Sequence, residues 1–95
     1  MSTEKSDFVK QLEAKLEKWD AKVRELRAKA DQADAEAREQ YYSQLRDVED
    51  RRDNLRSKKE EVQRASEESW KDIKQGAERA LDEVKDAFDR AKSRF

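Results

Sequence analysis

Residues 9–26 read VKQLEAKLEKWDAKVREL, and the spacing of their apolar side chains decides the fold class. The apolar residues recur at alternating intervals of three and four, so in an α-helix they all lie in one narrow stripe. Such a heptad pattern is typical of a helix that packs knobs into holes against another helix. We therefore predict an all-α chain of long amphipathic helices, in a coiled-coil or helical-hairpin arrangement, with essentially no β-structure. The helix-packing seam of this stretch consists of Val9, Leu12, Leu16, Trp19, Val23 and Leu26.

Smaller and polar residues continue this seam through the middle of the chain. From Ala30 to Ala37 the seam positions hold alanine, which has the highest helix propensity and lets a partner helix approach closely. Farther along, Arg52 and Lys59 occupy seam positions among the apolar residues of the range 48–62. Such charged residues either set the packing register by meeting a partner, or mark a seam that is wet and locally loose. Both interpretations stay open at this point.

The last quarter of the chain has a denser apolar pattern. Its large side chains repeat at intervals of eleven residues, as Trp70 does with Leu81 and Ile73 with Phe95 two intervals later. A period of eleven is about 3.67 residues per turn, so the stripe stays on one side of a nearly straight helix. We predict a broad apolar face, whose packing residues are Trp70, Ile73, Leu81, Val84 and Phe88.

Few residues allow this chain to turn, because it has no Pro and Gly76 is its single Gly. We predict one turn near Ser66, where a serine that can cap a helix precedes two acidic residues. The chain is then a single helical unit, residues 1–95, made of a helix at about 4–64 and a second helix at about 67–94.

Two alternatives to this turn remain. A turn near Asp53 would be followed by the capping-box pattern SKKE at residues 57–60 and would bring Trp70 close to Ala33 and Ala37. The chain could also form one unbroken helix, since neither turn site has Gly or Pro.

The aromatic residues and the glycine each have a packing interpretation. Trp19 and Trp70 lie on apolar stripes, which favours packing over a role as stacking platforms for bases or anchors in a membrane interface. Tyr42 stands beside the seam, and we expect it to be partly exposed. Gly76 inside a helix costs on the order of 1 kcal/mol relative to Ala; either a second helix approaches closely there or the cost is tolerated.

Composition and charge exclude several classes of function. Of the 95 residues, 49% are charged, and 23 basic residues nearly balance 24 acidic ones, with no basic block that would suit a nucleic-acid backbone. The segment MSTEKSD at the start has no apolar run, and no stretch approaches the ~18 apolar residues of a membrane span. We therefore expect no nucleic-acid partner and a cytoplasmic location.

Catalytic and metal-binding chemistry lack their usual side chains. The sequence has no His, no Cys and no Gly-rich phosphate loop. Adjacent carboxylates such as Glu60 and Glu61 diverge by about 100° around a helix and do not converge on one ion. We therefore predict that the protein is not an enzyme and has no small-molecule substrate, cofactor, metal, catalytic residue or cofactor-binding residue.

The order of features along the chain resembles a known family. In sequence, they are FVKQLEAKL at residues 8–16, an alanine-rich stretch before Tyr41, ASEESWKDIKQG at residues 65–76 and the ending AFDRAKSRF at residues 87–95. This order is similar to that of short, mostly uncharacterised bacterial coiled-coil proteins, some of which are labelled stress-response coiled-coil proteins. The resemblance implies a cytoplasmic helical protein and brings no catalytic or binding residues. The family often has Gly where Glu67 stands here.

Two hypotheses for function follow. The first is a structural or interaction protein that acts through helix–helix association, as a homo-oligomer or with a helical protein partner, because an isolated helix cannot bury its seam. The family resemblance implies a link to stress. The second is an amphipathic helical protein that binds a lipid or other hydrophobic surface through segment 70–95. The acidic residues of that segment would be repelled by an anionic membrane, so a membrane surface is the less favoured partner.

Overall fold

The computed structural model describes residues 3–94, which form three α-helices and no strand; Phe95 of the predicted stripe lies outside that range. The helices are α1 (Thr3–Gln32), α2 (Ala35–Arg64) and α3 (Trp70–Arg94). Both α1 and α3 pack antiparallel along α2, so they run in the same direction as each other. The result is an elongated bundle of 52 × 18 × 18 Å. The predicted all-α class is confirmed, with two helical hairpins that share α2.

The prediction of one helix at about 4–64 is wrong, because the chain reverses at Ala33 and Asp34. Asp34 has an extended backbone (φ −61°, ψ 154°), and its carbonyl accepts the first bond of α2, from the Arg38 N–H at 2.8 Å. Glu36 lies in the first turn of α2, where an acidic residue suits the positive end of the helix dipole. The reversal lets the apolar stripe of α1 pack against α2 instead of facing water.

The turn predicted near Ser66 is present, and residues 65–69 join α2 to α3. Ser66 and Ser69 satisfy each other reciprocally: each backbone N–H donates to the other's hydroxyl at 3.2 Å. The Trp70 N–H then donates to the Ser66 carbonyl at 3.1 Å, and α3 begins at Trp70 rather than at about 67. No residue that the structure describes has a positive φ, so Glu67 serves in this turn without strain.

The alternative turn near Asp53 does not occur. Asp53 and the SKKE pattern of residues 57–60 lie inside α2, as regular helix. Trp70 packs beside Phe8 at the end of the bundle where α1 begins, away from Ala33 and Ala37 at the other end.

The core runs along the three helices as one continuous cluster. From Ala77 to Ala91 the buried residues of α3 follow alternating intervals of three and four, and Trp70 precedes them by one heptad, so the core row is a heptad row rather than the predicted eleven-residue stripe. Leu81 and Phe88 lie one row to the side, half-buried toward α1. The predicted face is broad because α3 packs against two helices at once. The buried residues of α2 are Leu45, Val48, Leu55 and Val62, and those of α3 are Trp70, Ala77, Ala80, Val84, Ala87 and Ala91.

Gly76 is not needed for close helix packing. A Cβ added there would meet the Lys58 side chain at 3.9 Å, which is an ordinary van der Waals distance. The structure therefore supports the second interpretation of Gly76, in which the helix tolerates the loss of stability that a glycine causes.

Candidate functional site

The packing seam predicted from the sequence lies inside the bundle. All six seam residues of α1 are buried, with Val9 the most exposed at 9%. In α3, Trp70 and Val84 are buried, whereas Ile73, Leu81 and Phe88 are half-buried. The largest apolar side chains of the chain therefore pack against each other within one molecule.

The two helix pairs that involve α2 are closed by ion pairs. Asp20 of α1 accepts both contacts of the Arg56 guanidinium at 3.0 and 3.1 Å and lies 3.3 Å from Arg52. Arg52 therefore has a charged partner within the bundle, as the first of its two interpretations requires. Lys59 is half-buried and has no ion pair among the described residues. Further pairs join Arg27 to Glu49, Arg51 to Glu83 and Arg90 to Asp47.

The contact between α1 and α3 is of a different kind. Two aromatic pairs span it: Phe8 with Trp70, ring centroids 6.0 Å apart, and Trp19 with Phe88, 5.3 Å apart and edge to face. A lysine ammonium lies over each pair. Lys74 is 5.5 Å from the Phe8 ring and 5.9 Å from Trp70, and Lys22 is 4.7 Å from Phe88 and 5.8 Å from Trp19. Cations over ring faces are attracted by the ring quadrupole, so each lysine helps to hold α1 beside α3.

Beside the Trp19–Phe88 pair, α1 and α3 leave an open groove. One part of it has a volume of about 420 Å³ and continues, past Lys22, Phe88 and Lys92, into a second part of about 330 Å³. We call it the α1–α3 groove. Its apolar floor is formed by Trp19, Leu26, Leu81 and Phe88.

The rims of the α1–α3 groove are rich in lysine. Six lysines and three carboxylates line it, a formal surplus of three positive charges on a chain whose net charge is −1. None of the six lysines forms an ion pair or hydrogen bond within the part of the chain that the structure describes. The lysines are Lys15, Lys18, Lys22 and Lys29 on α1 and Lys85 and Lys92 on α3, and the carboxylates are Glu25, Asp82 and Asp89.

Two titratable groups among the described residues have a pKa that is shifted from the ordinary value. The hydroxyl of Tyr42, which is half-buried, donates a hydrogen bond to the Asp31 carboxylate, and this bond raises the pKa of Tyr42 above its usual value. The pKa of Arg51 is also raised, chiefly by its hydrogen bond to Glu83. Neither group lines the α1–α3 groove. Residues 3–94 contain no cluster of three or more acidic side chains that could hold a metal ion.

Comparisons with known proteins give no assignment: no protein-family model matches the chain, and no significant match is found among curated proteins or solved structures. None of the three helices is both long enough and apolar enough to cross a membrane. The geometry of the bundle is therefore the basis for a function.

The lysines of the groove are not apparent as one site from the sequence alone. Their signal is visible in the sequence, since Lys15, Lys22 and Lys29 stand at intervals of seven residues, as do Lys85 and Lys92. Lysines at one heptad position lie in one row along a helix. The sequence alone does not mark them as a site, because nothing in it brings α1 beside α3.

Proposed function

We propose that this protein is a non-enzymatic interaction protein that acts through helix–helix association, and that the α1–α3 groove receives an amphipathic helix of another protein. The observation that carries the proposal is the unequal closure of the bundle. Ion pairs join both helix pairs that involve α2, whereas α1 and α3 leave between them an open groove with an apolar floor, on which Leu81 and Phe88 remain half-buried. A helix laid on this floor would bury both side chains and complete a fourth position of the bundle.

A partner protein is favoured over a second copy. Self-association through the seam would need residues such as Leu12 and Leu16, which are 1% and 4% exposed inside the bundle. Among its described residues, a second folded copy therefore has no free row of large apolar side chains to insert into the groove, since the exposed heptad row of α1 consists of the small residues Ala14, Ala21 and Ala28. The absence of His and Cys from the sequence supports a non-catalytic role, and neither a nucleic acid nor a small-molecule substrate is expected. The family resemblance is the support for a link to stress.

Binding of segment 70–95 to a lipid or other hydrophobic surface is the less favoured alternative. The apolar row of α3, from Trp70 to Ala91, packs inside the bundle, and none of its buried residues is more than 2% exposed. Surface binding would require α3 to leave α2 and lose this burial, at about 25 cal/mol for each Å² of apolar surface. Docking a partner helix requires no such opening.

The test is the binding of a labelled amphipathic peptide of about three heptads, with a leucine seam and neutral flanks, followed by fluorescence anisotropy. We expect Leu81→Gln to weaken binding about tenfold, the equivalent of losing ~1.4 kcal/mol of apolar contact. Ile73→Gln is the matched control, because Ile73 is also a half-buried α3 residue but does not line the groove.

Three results would contradict the proposal. An equal loss in both variants would mean that the substitutions act through the fold and not through the groove. Dimers that form with increasing concentration in light scattering would favour self-association instead. Faster hydrogen exchange of the α2-facing residues of α3 when neutral lipid vesicles are added would favour the surface-binding alternative.

A further inference from the structure

The two rims of the α1–α3 groove differ in their charge pattern. On α1, Lys15, Lys22 and Lys29 stand seven residues apart, so their Cα atoms form one row along the helix with a spacing of about 10.5 Å. Lys18 lies beside this row, and Glu25 is the single carboxylate of the rim. The α1 rim thus carries four positive charges against one negative charge.

The α3 rim alternates in sign. Asp82 and Asp89 stand seven residues apart, as do Lys85 and Lys92, and the four residues carry no net charge. The whole charge surplus of the groove therefore belongs to α1. Because these lysines make no ion pair within the described chain, their charge is available to a partner.

We infer that the helix docking in the α1–α3 groove is acidic, with carboxylates repeated every seven residues on the flank that faces α1. The inference rests on the proposed function and deepens it. In coiled coils the residues that flank the apolar seam choose the partner by pairing charges across the interface. A row of lysines at heptad spacing matches a row of Glu or Asp at the same spacing, whichever way the partner helix runs. The flank that faces α3 carries both signs, opposite Asp82 and Lys85.

The same pattern argues against two other occupants. A nucleic-acid backbone would meet Asp82 and Asp89 on one rim, where carboxylates repel phosphates, and would leave the apolar floor uncovered. A second copy of the chain also lacks the matching pattern. None of α1, α2 and α3 has carboxylates at three successive positions seven residues apart.

The experiment compares three labelled peptides of about three heptads that share one leucine seam. The first has Glu on the flank that faces α1; the second has the same composition but carries those Glu residues on its outer face; the third has Gln in their place. We expect the first to bind about tenfold more tightly than the second and to lose that advantage near 1 M salt, where the screening length is about 3 Å. Equal binding of the first and second peptides would overturn the inference, since net charge alone would then suffice.

Matched variants of the protein locate the effect. Lys15→Glu with Lys29→Glu reverses two charges of the row and leaves Lys22 in place over the Trp19 and Phe88 rings. We expect this double variant to bind the first peptide about tenfold more weakly. The control reverses two exposed lysines outside the groove, Lys10→Glu with Lys71→Glu, and should change binding less than twofold. A peptide with Lys in place of the registered Glu should bind the first variant again.

The outcomes separate this inference from the proposed function. If the Gln peptide binds as tightly as the acidic one and the lysine reversals have no effect, the acidic partner is wrong while groove docking stands. If none of the three peptides binds, both are wrong.

Discussion

The ammonium nitrogen of Lys22 lies 4.7 Å from the centre of the Phe88 ring and so connects α1 to α3 across the floor of the α1–α3 groove. The same nitrogen is 5.8 Å from Trp19, whose ring packs edge to face on Phe88. One cation thus serves two rings from different helices. Since no ion pair joins α1 to α3 among the described residues, this contact is a polar link between the two helices at that level.

Replacing Lys22 by Gln should lower the free energy of unfolding by about 0.5–1 kcal/mol, because a neutral amide loses the attraction to the rings while keeping a similar helix propensity. Urea denaturation followed by circular dichroism measures the change. Lys18→Gln is the control, since Lys18 lines the same groove without lying over a ring. Equal losses in both variants would show that the effect is one of overall charge.

Asp20 receives two arginines of α2 at once, Arg52 and Arg56. We predict that Asp20→Asn lowers the free energy of unfolding by roughly 1 kcal/mol in low salt, and by clearly less near 1 M salt, because the pairs are partly exposed and therefore screened. Asp50→Asn makes the same chemical change at an exposed position without an ion pair among the described residues. If Asp20→Asn lowered the free energy of unfolding by the same amount at low and high salt, the loss would come from packing and not from charge.

Ser66 and Ser57 each begin a sequence pattern that is typical of helix capping, and we expect substitution by Ala to change the stability differently at the two positions. Ser66→Ala removes the hydroxyl that accepts from the Ser69 N–H, and should cost about 1 kcal/mol of stability. Ser57→Ala lies in the interior of α2 on an exposed face, where Ala is the better helix former, and should be neutral or stabilising by a few tenths of a kcal/mol. Thermal and urea unfolding of the two variants measure this. A larger loss at Ser57 would contradict the position of the turn.

Gly76→Ala should stabilise the protein by up to about 1 kcal/mol and raise its Tm, because the added methyl group has room beside Lys58 and the helix gains propensity. The reverse change at an exposed site of α1, Ala28→Gly, should lower stability by a similar amount. If Gly76→Ala were destabilising, α2 and α3 would approach more closely at this level than the 3.9 Å contact indicates.

Tyr42 gives the bundle a pH dependence at the alkaline end. Its hydroxyl donates to Asp31, which raises the pKa of the phenol above the ordinary 10.0. Since the folded state holds this proton more tightly, the bond's contribution to stability is complete below pH 10.0 and is lost as the pH rises through the folded pKa.

Near-ultraviolet absorbance of tyrosinate during an alkaline titration tests this. We expect Asp31→Asn to lower the pH at which Tyr42 titrates, and Tyr42→Phe to remove that component of the titration altogether. A titration curve unchanged by Asp31→Asn would contradict the hydrogen bond as the cause.

How much of the fold can be predicted from sequence depends on whether the signal is local. The heptad spacing of α1 predicts both a helix and its buried side, because a stripe of large apolar residues has one way to avoid water. Ser66 with Ser69 is also a local signal, and the turn forms there. The break at Ala33 and Asp34 has only a weak local signal, because Asp34 can cap a helix but alanine favours helix on both sides of it.

The ion-pair partners of the polar residues cannot be predicted from neighbouring residues in the sequence either. Arg52 stands out on the seam, but its partner Asp20 lies in another helix, and the register of the α1–α2 hairpin decides that they meet. The packing of α3 also depends on long-range contacts. Because α3 has two neighbouring helices, its apolar face contains a buried core row and a flanking, half-buried row with Leu81 and Phe88.

The sequence by itself determined that this chain is helical and which side of α1 is buried, and it favoured a turn near Ser66, because each of these depends on residues a few positions apart. Only the tertiary structure decided that α1 reverses at Ala33 and that α1 and α3 lie side by side. The physical reason is that burial of the α1 seam is a long-range gain, realised once α2 folds back onto it. The groove follows from the same cause: Lys22 and Phe88 are far apart in sequence, and only the packing of both helices on α2 sets a lysine row of one beside the aromatic floor of the other.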